Sequence, residues 1–507
     1  MLKYNVLANF FGKGWSLLIG LIFVPFYISF LGIEAYGLIG FFSTIQATVS
    51  LLDFGLSATM NREMARFSVH PDRSDESRDL ARTLEIVYWC VGIIIGIGIY
   101  FAASWLSTNW VNAKNVSIQV VQQSIVLMGI TISLQWPIGL YSGGLSGLER
   151  QVSLNMFTAS LGTFRSVGAI LVLWIISPTL TAFFYWQIFV SILQVIFITI
   201  MFWKYMPQGT RLVRFDVRLL RRVWRFTAGM SATAFVTFLI SQIDKVILSK
   251  ILPLNMFGYY TLANQINIAT RMSGSSIFNA FLPRFSALVA KGDEKALRTL
   301  YHQGCQLVSA VVLPVSAIIA LFSYKLIFMW TQNETIALMT YPIASILVMG
   351  SVFNSLMGIP YDMTVAHGWV KLGFYQNLLS AIVLVPAIFF LATHFGGIGA
   401  AWAWVTLNFG CMLISAPIIH NRILKGELRQ WYLVDIGFPF LVSFAVSGLC
   451  WWFMPRNLRA WPELFIIGAA LTLTLTACVV SLPYIRQRVL GFINLQKRLE
   501  YVFGNKQ

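Results

Sequence analysis

Charged side chains are scarce in this chain of 507 residues: Lys, Arg, Asp and Glu make up 11% of it, whereas hydrophobic residues make up 57%. A soluble globular domain carries roughly 25% charged residues, so this chain has too few charges to cover a soluble surface of its length. The composition disfavours a disordered chain, a nucleic-acid-binding domain and an ordinary cytosolic enzyme. It predicts an all-α polytopic membrane protein, and we expect no nucleic-acid partner.

Motifs for nucleotide, metal and sugar-transfer chemistry are also absent. No Walker A motif GxxxxGK[ST] occurs, which argues against ATP as the direct energy source. There is no DxD motif, and the five cysteines form no CxxC pair. These absences make a membrane glycosyltransferase or polymerase the less favoured alternative. We predict a transporter rather than an enzyme, with no cofactor and no metal site.

Long apolar runs predict fourteen membrane-spanning helices. Each run has about 20 residues or more, the length that a helix needs to cross the hydrocarbon core. The predicted spans are 7–31, 36–60, 84–106, 118–142, 155–176, 181–203, 229–251, 257–282, 303–328, 337–360, 373–393, 398–420, 433–454 and 463–484.

The distribution of Lys and Arg predicts the orientation of these helices. When the N-terminus is placed inside, most basic residues fall in the inside segments, and the outside segments carry only Lys114, Lys250, Arg456 and Arg459. Cytoplasmic loops are the ones enriched in Lys and Arg. The sequence therefore predicts that both termini are cytoplasmic.

A weak internal repeat divides the predicted spans. Residues 30–46 match residues 251–267 at an offset of 221 positions, and Gly37 aligns with Gly258. Each half starts inside and holds six spans, so the repeat is parallel, an arrangement that transporters use to enclose a substrate between two lobes. The predicted domains are an N-terminal six-helix lobe at 1–203, an amphipathic cytoplasmic linker at 204–228, a C-terminal six-helix lobe at 229–420, and two extra helices with a basic tail at 421–507.

The linker carries a cationic stripe. A helix drawn through residues 211–226 places six arginines within one arc and apolar side chains over most of the rest, with Asp216 as an exception on the apolar side. The arginines are Arg211, Arg214, Arg218, Arg221, Arg222 and Arg225. This pattern predicts an interfacial helix on the inner leaflet that joins the lobes. We expect its main role to be that of a topology-fixing linker; the alternative is attraction of anionic lipid or substrate headgroups.

Three segments resemble the polysaccharide, or O-antigen-type, flippases of the multidrug/oligosaccharidyl-lipid/polysaccharide (MOP) exporter superfamily. They are PFYISFLGIEAYGLIGFFSTIQ at 25–46, LLDFGLSATMNREMAR at 51–66 and SQIDKVILSKILPLNMFGYYTLANQI at 241–266. The patterns are degenerate, so they identify the class better than the substrate. Many such translocases stop at twelve helices, whereas the lipid II flippases of the superfamily have fourteen, as predicted here.

The resemblance implies a bacterial inner-membrane protein that flips an undecaprenyl-diphosphate-linked oligosaccharide by alternating access. It also implies contact with membrane lipid, and a polysaccharide polymerase and a chain-length regulator as partners. The alternative within the superfamily is a multidrug or small-molecule exporter. Such an exporter needs an acidic cavity for cationic drugs, whereas the candidate cavity residues here are five cations against the two carboxylates Asp53 and Asp244.

Four cations within the spans are the predicted substrate-binding residues. Arg165 and Arg271 lie near the middle of their spans, and Lys13 and Lys245 lie closer to span ends. A charge at that depth is costly unless it faces a polar cavity or a partner, and a guanidinium suits the oxygens of a diphosphate. The alternative role for the arginines is an ion pair with a carboxylate within the membrane. Lys325, near an outer end, is expected to reach the interface.

Two carboxylates within the spans, Asp53 and Asp244, are candidates for binding H⁺ or Na⁺ during transport, or for balancing a nearby cation. Asp244 and Lys245 point about 100° apart on a helix, so we expect that they need not neutralise each other. The five histidines are expected to be solvated, because they lie in predicted loops or at span ends.

Overall fold

The computed structural model describes residues 2–68, 70, 73–455 and 460–487, and within them it contains helices and no strands. The chain forms two compact units, one up to Gly258 and one from Tyr259 onwards. This division places residues 229–258 in the first unit, whereas the sequence assigned them to the second lobe. The predicted lobe boundaries remain a prediction.

Helices α1 to α9 belong to the first unit, and α10 begins in it and continues into the second. Their bounds are α1 Leu2–Leu31, α2 Ile33–Val49, α3 Leu56–Phe67, α4 Ser74–Trp105, α5 Ile118–Gln135, α6 Ile138–Gly147, α7 Gln151–Leu171, α8 Leu180–Tyr205, α9 Val217–Ile251 and α10 Leu254–Lys291. Short turns of 3₁₀ or π geometry extend three of them, at Ser50–Asp53, Leu106–Trp110 and Val172–Ile176.

The second unit continues with helices α11 to α17. Their bounds are α11 Glu294–Thr331, α12 Glu334–Leu356, α13 Gly358–Ala366, α14 Val370–Arg422, α15 Leu428–Gln430, α16 Phe438–Trp452 and α17 Ala460–Ser481. A π-helical segment, Trp431–Gly437, joins α15 to α16. The long α14 holds two predicted spans, which meet at Gly396 with a φ of 60° and a ψ of −142°, a conformation that favours glycine.

The predicted all-α membrane fold is confirmed. Within the described residues, ten helical segments are long and apolar enough to cross a membrane, and each predicted span falls on helical residues. Along α4, apolar side chains such as Ile94 and Phe101 are 67% and 75% exposed. Such an outer surface is suited to lipid rather than water. The count of fourteen crossings remains a prediction.

Some predicted spans contain a break, and the helix after the break packs closely on a neighbour. The second span is interrupted at Phe54 and Gly55, where φ is positive, and α3 then begins. Helix α3 lies against α6. A Cβ added at Gly147 of α6 would lie 2.2 Å from the carbonyl oxygen of Asn61 in α3, too close for any side chain. Small residues allow such close helix contacts in membrane proteins.

The glycines that the repeat aligns contact each other in the first unit. A Cβ added at Gly37 would lie 2.3 Å from the carbonyl oxygen of Leu254, and one added at Gly258 would lie 2.4 Å from that of Ile33. Both contacts relate residues that are equivalent at the offset of 221 positions. A reciprocal contact of this kind is what a two-fold relation between the segments produces.

The predicted helix over residues 211–226 is wrong at its beginning, because α9 starts at Val217. Residues 211–216 are extended and held by carboxylates of α4. Arg211 donates from Nη2 to Oδ2 of Asp79 at 2.5 Å, and the backbone N–H of Arg214 donates to the other oxygen at 2.7 Å. These contacts provide the hydrogen bonds that a helix would otherwise supply.

Asp216 explains where α9 begins. Its carboxylate accepts a hydrogen bond of 2.8 Å from the backbone N–H of Arg218, so it caps the helix. Its own backbone N–H donates to the hydroxyl of Thr83 at 3.0 Å. The residue that looked like an exception on the apolar side is therefore a start signal, and α9 is continuous from the linker into the predicted seventh span.

Candidate substrate-binding site

Arg165 lies half-buried on α7 and is held by amides rather than carboxylates. Its Nη1 donates to Oε1 of Gln187 at 3.2 Å, and its Nη2 donates to Oε1 of Gln194 at 2.5 Å. Both glutamines are on α8. Among the described residues, no carboxylate lies within 4.0 Å of this guanidinium. The structure therefore orients Arg165 while leaving its positive charge uncompensated by a carboxylate.

The backbone around Arg165 is fixed by a tryptophan and a neighbouring helix. Trp186 donates from its indole nitrogen to the carbonyl oxygen of Arg165 at 2.9 Å. Helix α1 packs along α7, and Trp15 donates to the hydroxyl of Thr163 at 3.0 Å. Lys13 therefore lies on the helix that neighbours the one carrying Arg165, but its side chain lies outside what the structure describes.

Lys245 and Asp244 form an ion pair, so the expectation that they need not neutralise each other is wrong. The distance from Nζ of Lys245 to Oδ1 of Asp244 is 3.6 Å. The same ammonium donates to the carbonyl oxygen of Ser241 at 3.1 Å and to Oε1 of Gln242 at 3.2 Å. The flexible stem of lysine lets its charge fold back onto its own helix, which an argument from Cβ directions alone misses.

Asp53 lies half-buried at the break between α2 and α3. Its Oδ2 accepts a hydrogen bond of 2.8 Å from the hydroxyl of Ser57, and its Oδ1 accepts one from the hydroxyl of Tyr88. In the part of the chain that is described, no Lys, Arg or His forms an ion pair with it. The structure thus gives Asp53 neutral hydroxyl partners instead of the cation that charge balance would require.

The remaining cations within the spans differ from each other. Arg271 is exposed on α10 in the second unit, and the described residues offer it no hydrogen bond or ion pair. Lys325 instead binds Oε1 of Glu463 at 3.0 Å and the carbonyl oxygen of Pro455 at 3.4 Å. Its charge is therefore compensated within the protein.

A buried polar network in the second unit was not expected from the sequence. His302 is 2% exposed, so its predicted solvation is wrong. Its Nδ1 lies 2.5 Å from Oδ2 of Asp435 and its Nε2 lies 3.2 Å from Oε2 of Glu427. Gln306 donates to the other oxygen of Asp435 at 2.9 Å, and Arg298 donates to the other oxygen of Glu427 at 3.1 Å.

The signal for this network was present in the spacing of α11. Arg298, His302 and Gln306 recur every four residues, which places them on one helix face. A second histidine belongs to the same region, since the hydroxyl of Tyr301 lies 3.0 Å from Nε2 of His420. The carboxylates come from residues far along the chain, so periodicity alone could not identify them.

Buried acids also lie in the first unit. Glu85 is 5% exposed and binds Arg82 at 2.7 Å. It also accepts hydrogen bonds from the hydroxyl of Tyr141 at 2.6 Å and from the indole nitrogen of Trp203 at 3.3 Å. Such groups join α4 to α6 and α8, and they serve the packing of the unit.

Residues 29–333 match the family described as polysaccharide biosynthesis protein, and this range is more than half of the chain. The chain belongs to this family. It is 23% identical over 410 residues to a Shigella flexneri protein named as an O-antigen transporter, covering 79% of this chain and 93% of that protein. It is also 22% identical over 223 residues to the lipopolysaccharide biosynthesis protein WzxC of Escherichia coli strain K12, covering 43% of this chain and 44% of that protein.

Solved structures of the MOP superfamily share the fold. The lipid II flippase MurJ in an inward closed conformation gives a TM-score of 0.71 at 13% identity, over 96% of this chain and all of that chain. An inward-facing multidrug resistance MATE family transporter gives 0.68 at 16% identity, over 82% and 96%. The predicted resemblance to MOP-superfamily polysaccharide flippases is confirmed, as is the prediction of a multi-pass inner-membrane transporter rather than an enzyme.

Proposed function

We propose that this protein flips a lipid-linked oligosaccharide, an O-antigen or related polysaccharide repeat unit carried on undecaprenyl diphosphate, across the bacterial inner membrane. The observation that carries the proposal is the family match over residues 29–333, together with the O-antigen transporter that covers 79% of this chain. The fold common to MurJ and the MATE transporter is consistent with it.

In the proposed mechanism, Arg165 and Arg271 bind the diphosphate. Arg165 is suited to this role because its amide partners orient the guanidinium without cancelling its charge. A planar fork of N–H donors then pairs with phosphate oxygens. The headgroup crosses by alternating access of two lobes, while the polyprenyl chain stays in lipid. Lys13 and Lys245 are proposed as further cavity cations, the second with its charge shared with Asp244.

Transport is proposed to use an ion gradient, with Asp53 and Asp244 as the candidate sites for H⁺ or Na⁺. Asp53 supports this role because its partners, two hydroxyls and the backbone N–H of Ser57, are all uncharged, so none of them fixes the carboxylate in an ion pair. Collapse of both gradients in vesicles is expected to stop translocation, whereas ATP depletion alone is not. Undiminished flux without either gradient would reject the coupling.

We also propose that both termini are cytoplasmic, and that a polysaccharide polymerase and a chain-length regulator act with this protein. A reporter inserted within residues 204–226 is expected to report the cytoplasm, and one within 107–117 the outside. The opposite result would reject the orientation. Copurification of a tagged polymerase, compared with an unrelated tagged membrane protein, tests the partnership, and equal recovery of both would reject it.

Deletion of the gene tests the proposed function itself. The deletion is expected to remove surface polysaccharide and to accumulate the lipid-linked repeat unit on the cytoplasmic side. The wild-type gene should restore export, and a variant with the exposed Lys204 changed to Ala should restore it equally. Normal surface polysaccharide without accumulated intermediates in the deletion strain would contradict the proposal.

A further inference from the structure

A cavity of about 630 Å³ opens in the second unit beside α11, α15 and the segment that follows α17. Its volume lies within the roughly 300–1,000 Å³ of typical small-ligand sites. Arg271 is not among the residues that line this cavity, and the proposed transport mechanism does not use the cavity. The described residues that line it are Gln306, Gly426, Arg429, Gln430, Leu433, Val434, Pro483, Tyr484 and Gln487.

The inner wall of this cavity is built on the buried network of the second unit. Gln306 is fully buried, donates to Asp435 at 2.9 Å and accepts a hydrogen bond of 2.9 Å from the backbone N–H of Tyr484. The ring of Tyr484 stacks on His302 with 6.4 Å between centroids. The wall is therefore preorganised by hydrogen bonds, so little free energy is needed to order these side chains when a ligand binds.

The cavity carries a positive charge that the described part of the protein does not neutralise. Among the described residues that line it, Arg429 is the one charged side chain, and it is exposed. The nearby carboxylate of Glu427 is occupied by Arg298 at 3.1 Å and by His302 at 3.2 Å. The guanidinium of Arg429 has no ion pair within the described residues, so an anionic group is the ligand it favours.

An exposed apolar surface continues from the cavity along the π-helical segment and into α16. Leu433 lines the cavity and is 55% exposed, and Phe438 and Leu441 further along the same helical segment are 55% and 67% exposed. A ligand that matches both features has an anionic head and an apolar chain. The C-terminal segment from Arg488 onwards is a poor occupant, because it carries several basic residues and would add positive charge beside Arg429.

We propose that this cavity binds the headgroup of an anionic phospholipid, with its phosphate on Arg429 and an acyl chain along the exposed face that begins at Leu433. Basic pockets between helices on the cytoplasmic side of membrane proteins bind such headgroups, and the proposed orientation places this end of the unit in the cytoplasm. The binding does not depend on the proposed flippase activity, so each can fail without the other.

The test measures thermal unfolding of the purified full-length protein in detergent while short-chain phosphatidylglycerol or phosphatidylcholine is added. Phosphatidylglycerol is expected to raise the unfolding midpoint in a saturable manner, and phosphatidylcholine is not. Arg429→Ala should weaken the apparent affinity for phosphatidylglycerol about tenfold, as loss of one charge-assisted contact implies. Lys425→Ala is the matched control, because Lys425 is exposed in the same loop but is not among the residues that line the cavity. The affinity of this variant for phosphatidylglycerol should equal that of the wild type.

A second variant, Val434→Trp, fills the cavity and should remove the lipid response while Arg429 is retained. If that variant does not fold, Arg429→Glu gives an independent arm and should abolish the response to phosphatidylglycerol. Equal responses to both phospholipids, or an Arg429→Ala protein that binds like the wild type, would overturn the proposal. A response to a short polyprenyl diphosphate but not to phosphatidylglycerol would also overturn it, and would assign the cavity to the transport substrate.

Discussion

Arg165 in the first unit and His302 in the second are held in opposite ways within apolar helices. In the first unit, the guanidinium of Arg165 is held by the neutral amides of Gln187 and Gln194. In the second, the imidazole of His302 lies between the carboxylates of Asp435 and Glu427. Amides satisfy the N–H donors but leave the charge available, whereas carboxylates compensate the charge and tie the helices together. The difference separates a group suited to bind a substrate from groups suited to hold a fold.

The largest expected effect is the loss of stability in Asp435→Ala. The substitution removes the carboxylate that both His302 and Gln306 contact and leaves those hydrogen bonds unmade in a buried site. Breaking a buried pair on one side costs about 3–5 kcal/mol. Thermal unfolding of the purified protein measures it. Glu294→Ala is the control, because that side chain is 81% exposed and, within the described residues, forms an ion pair with Arg298 alone, at 3.6 Å on the same helix. Equal unfolding midpoints for the two variants would show that the network contributes no stability.

The next effect concerns transport rather than stability. Arg165→Ala should abolish export at normal protein abundance, because loss of a charged contact in such a site costs about 2–4 kcal/mol, or tens to several hundredfold in affinity. Arg165→Lys should restore export only in part, since it keeps the charge without the planar fork. Surface polysaccharide and lipid-linked intermediates are the readouts.

An ion-pair role would give Arg165→Ala a different behaviour. Neutralising Asp53 or Asp244 in the same chain should then restore export, because the second change would remove the unpaired carboxylate. The described contacts of Arg165 predict no such rescue. Rescue, or full export by Arg165→Ala alone, would reject the substrate-binding assignment.

The sequence predicted the helices well because hydropathy is a local property and a bilayer demands one length of apolar helix. It could not predict the partners of His302, because Asp435 lies 133 positions away and only packing brings the two together. The ion pair of Lys245 with Asp244 could not be predicted from helix geometry, because a long side chain can fold back along its own helix. Asp216 could have been predicted as a cap from its place before the helical run.

A third prediction converts the first unit's arrangement into that of the second. In the wild type, Nη2 of Arg165 donates to the amide oxygen of Gln194 at 2.5 Å. Gln194→Glu replaces that amide with a carboxylate next to the same guanidinium. The new ion pair should compete with the diphosphate for Arg165. If the pair is worth about 1.4 kcal/mol, substrate binding should weaken about tenfold. Stability should not fall. Binding of a labelled lipid-linked oligosaccharide to the purified protein measures the effect.

Gln194→Leu is the matched control for that variant. It removes the amide without adding charge, so Arg165 loses orientation but keeps its full attraction for an anion. Binding should therefore weaken less than in Gln194→Glu. If the two variants bind equally, the charge at this position does not matter, and the contrast drawn between amide and carboxylate partners would not hold.

The smallest expected effect is on stability, at Asp216, a partly exposed carboxylate outside the buried polar sites compared above. Asp216 caps α9 by accepting from the backbone N–H of Arg218 at 2.8 Å, and its side chain is 32% exposed. Asp216→Ala should cost about 1 kcal/mol of stability, the usual cost of a lost N-cap, and Asp216→Asn should cost less because an amide oxygen can also cap. Export should remain normal in both. Removing this partly exposed carboxylate leaves no buried group without a partner. A loss of stability as large as that of Asp435→Ala would therefore show that Asp216 does more than cap α9.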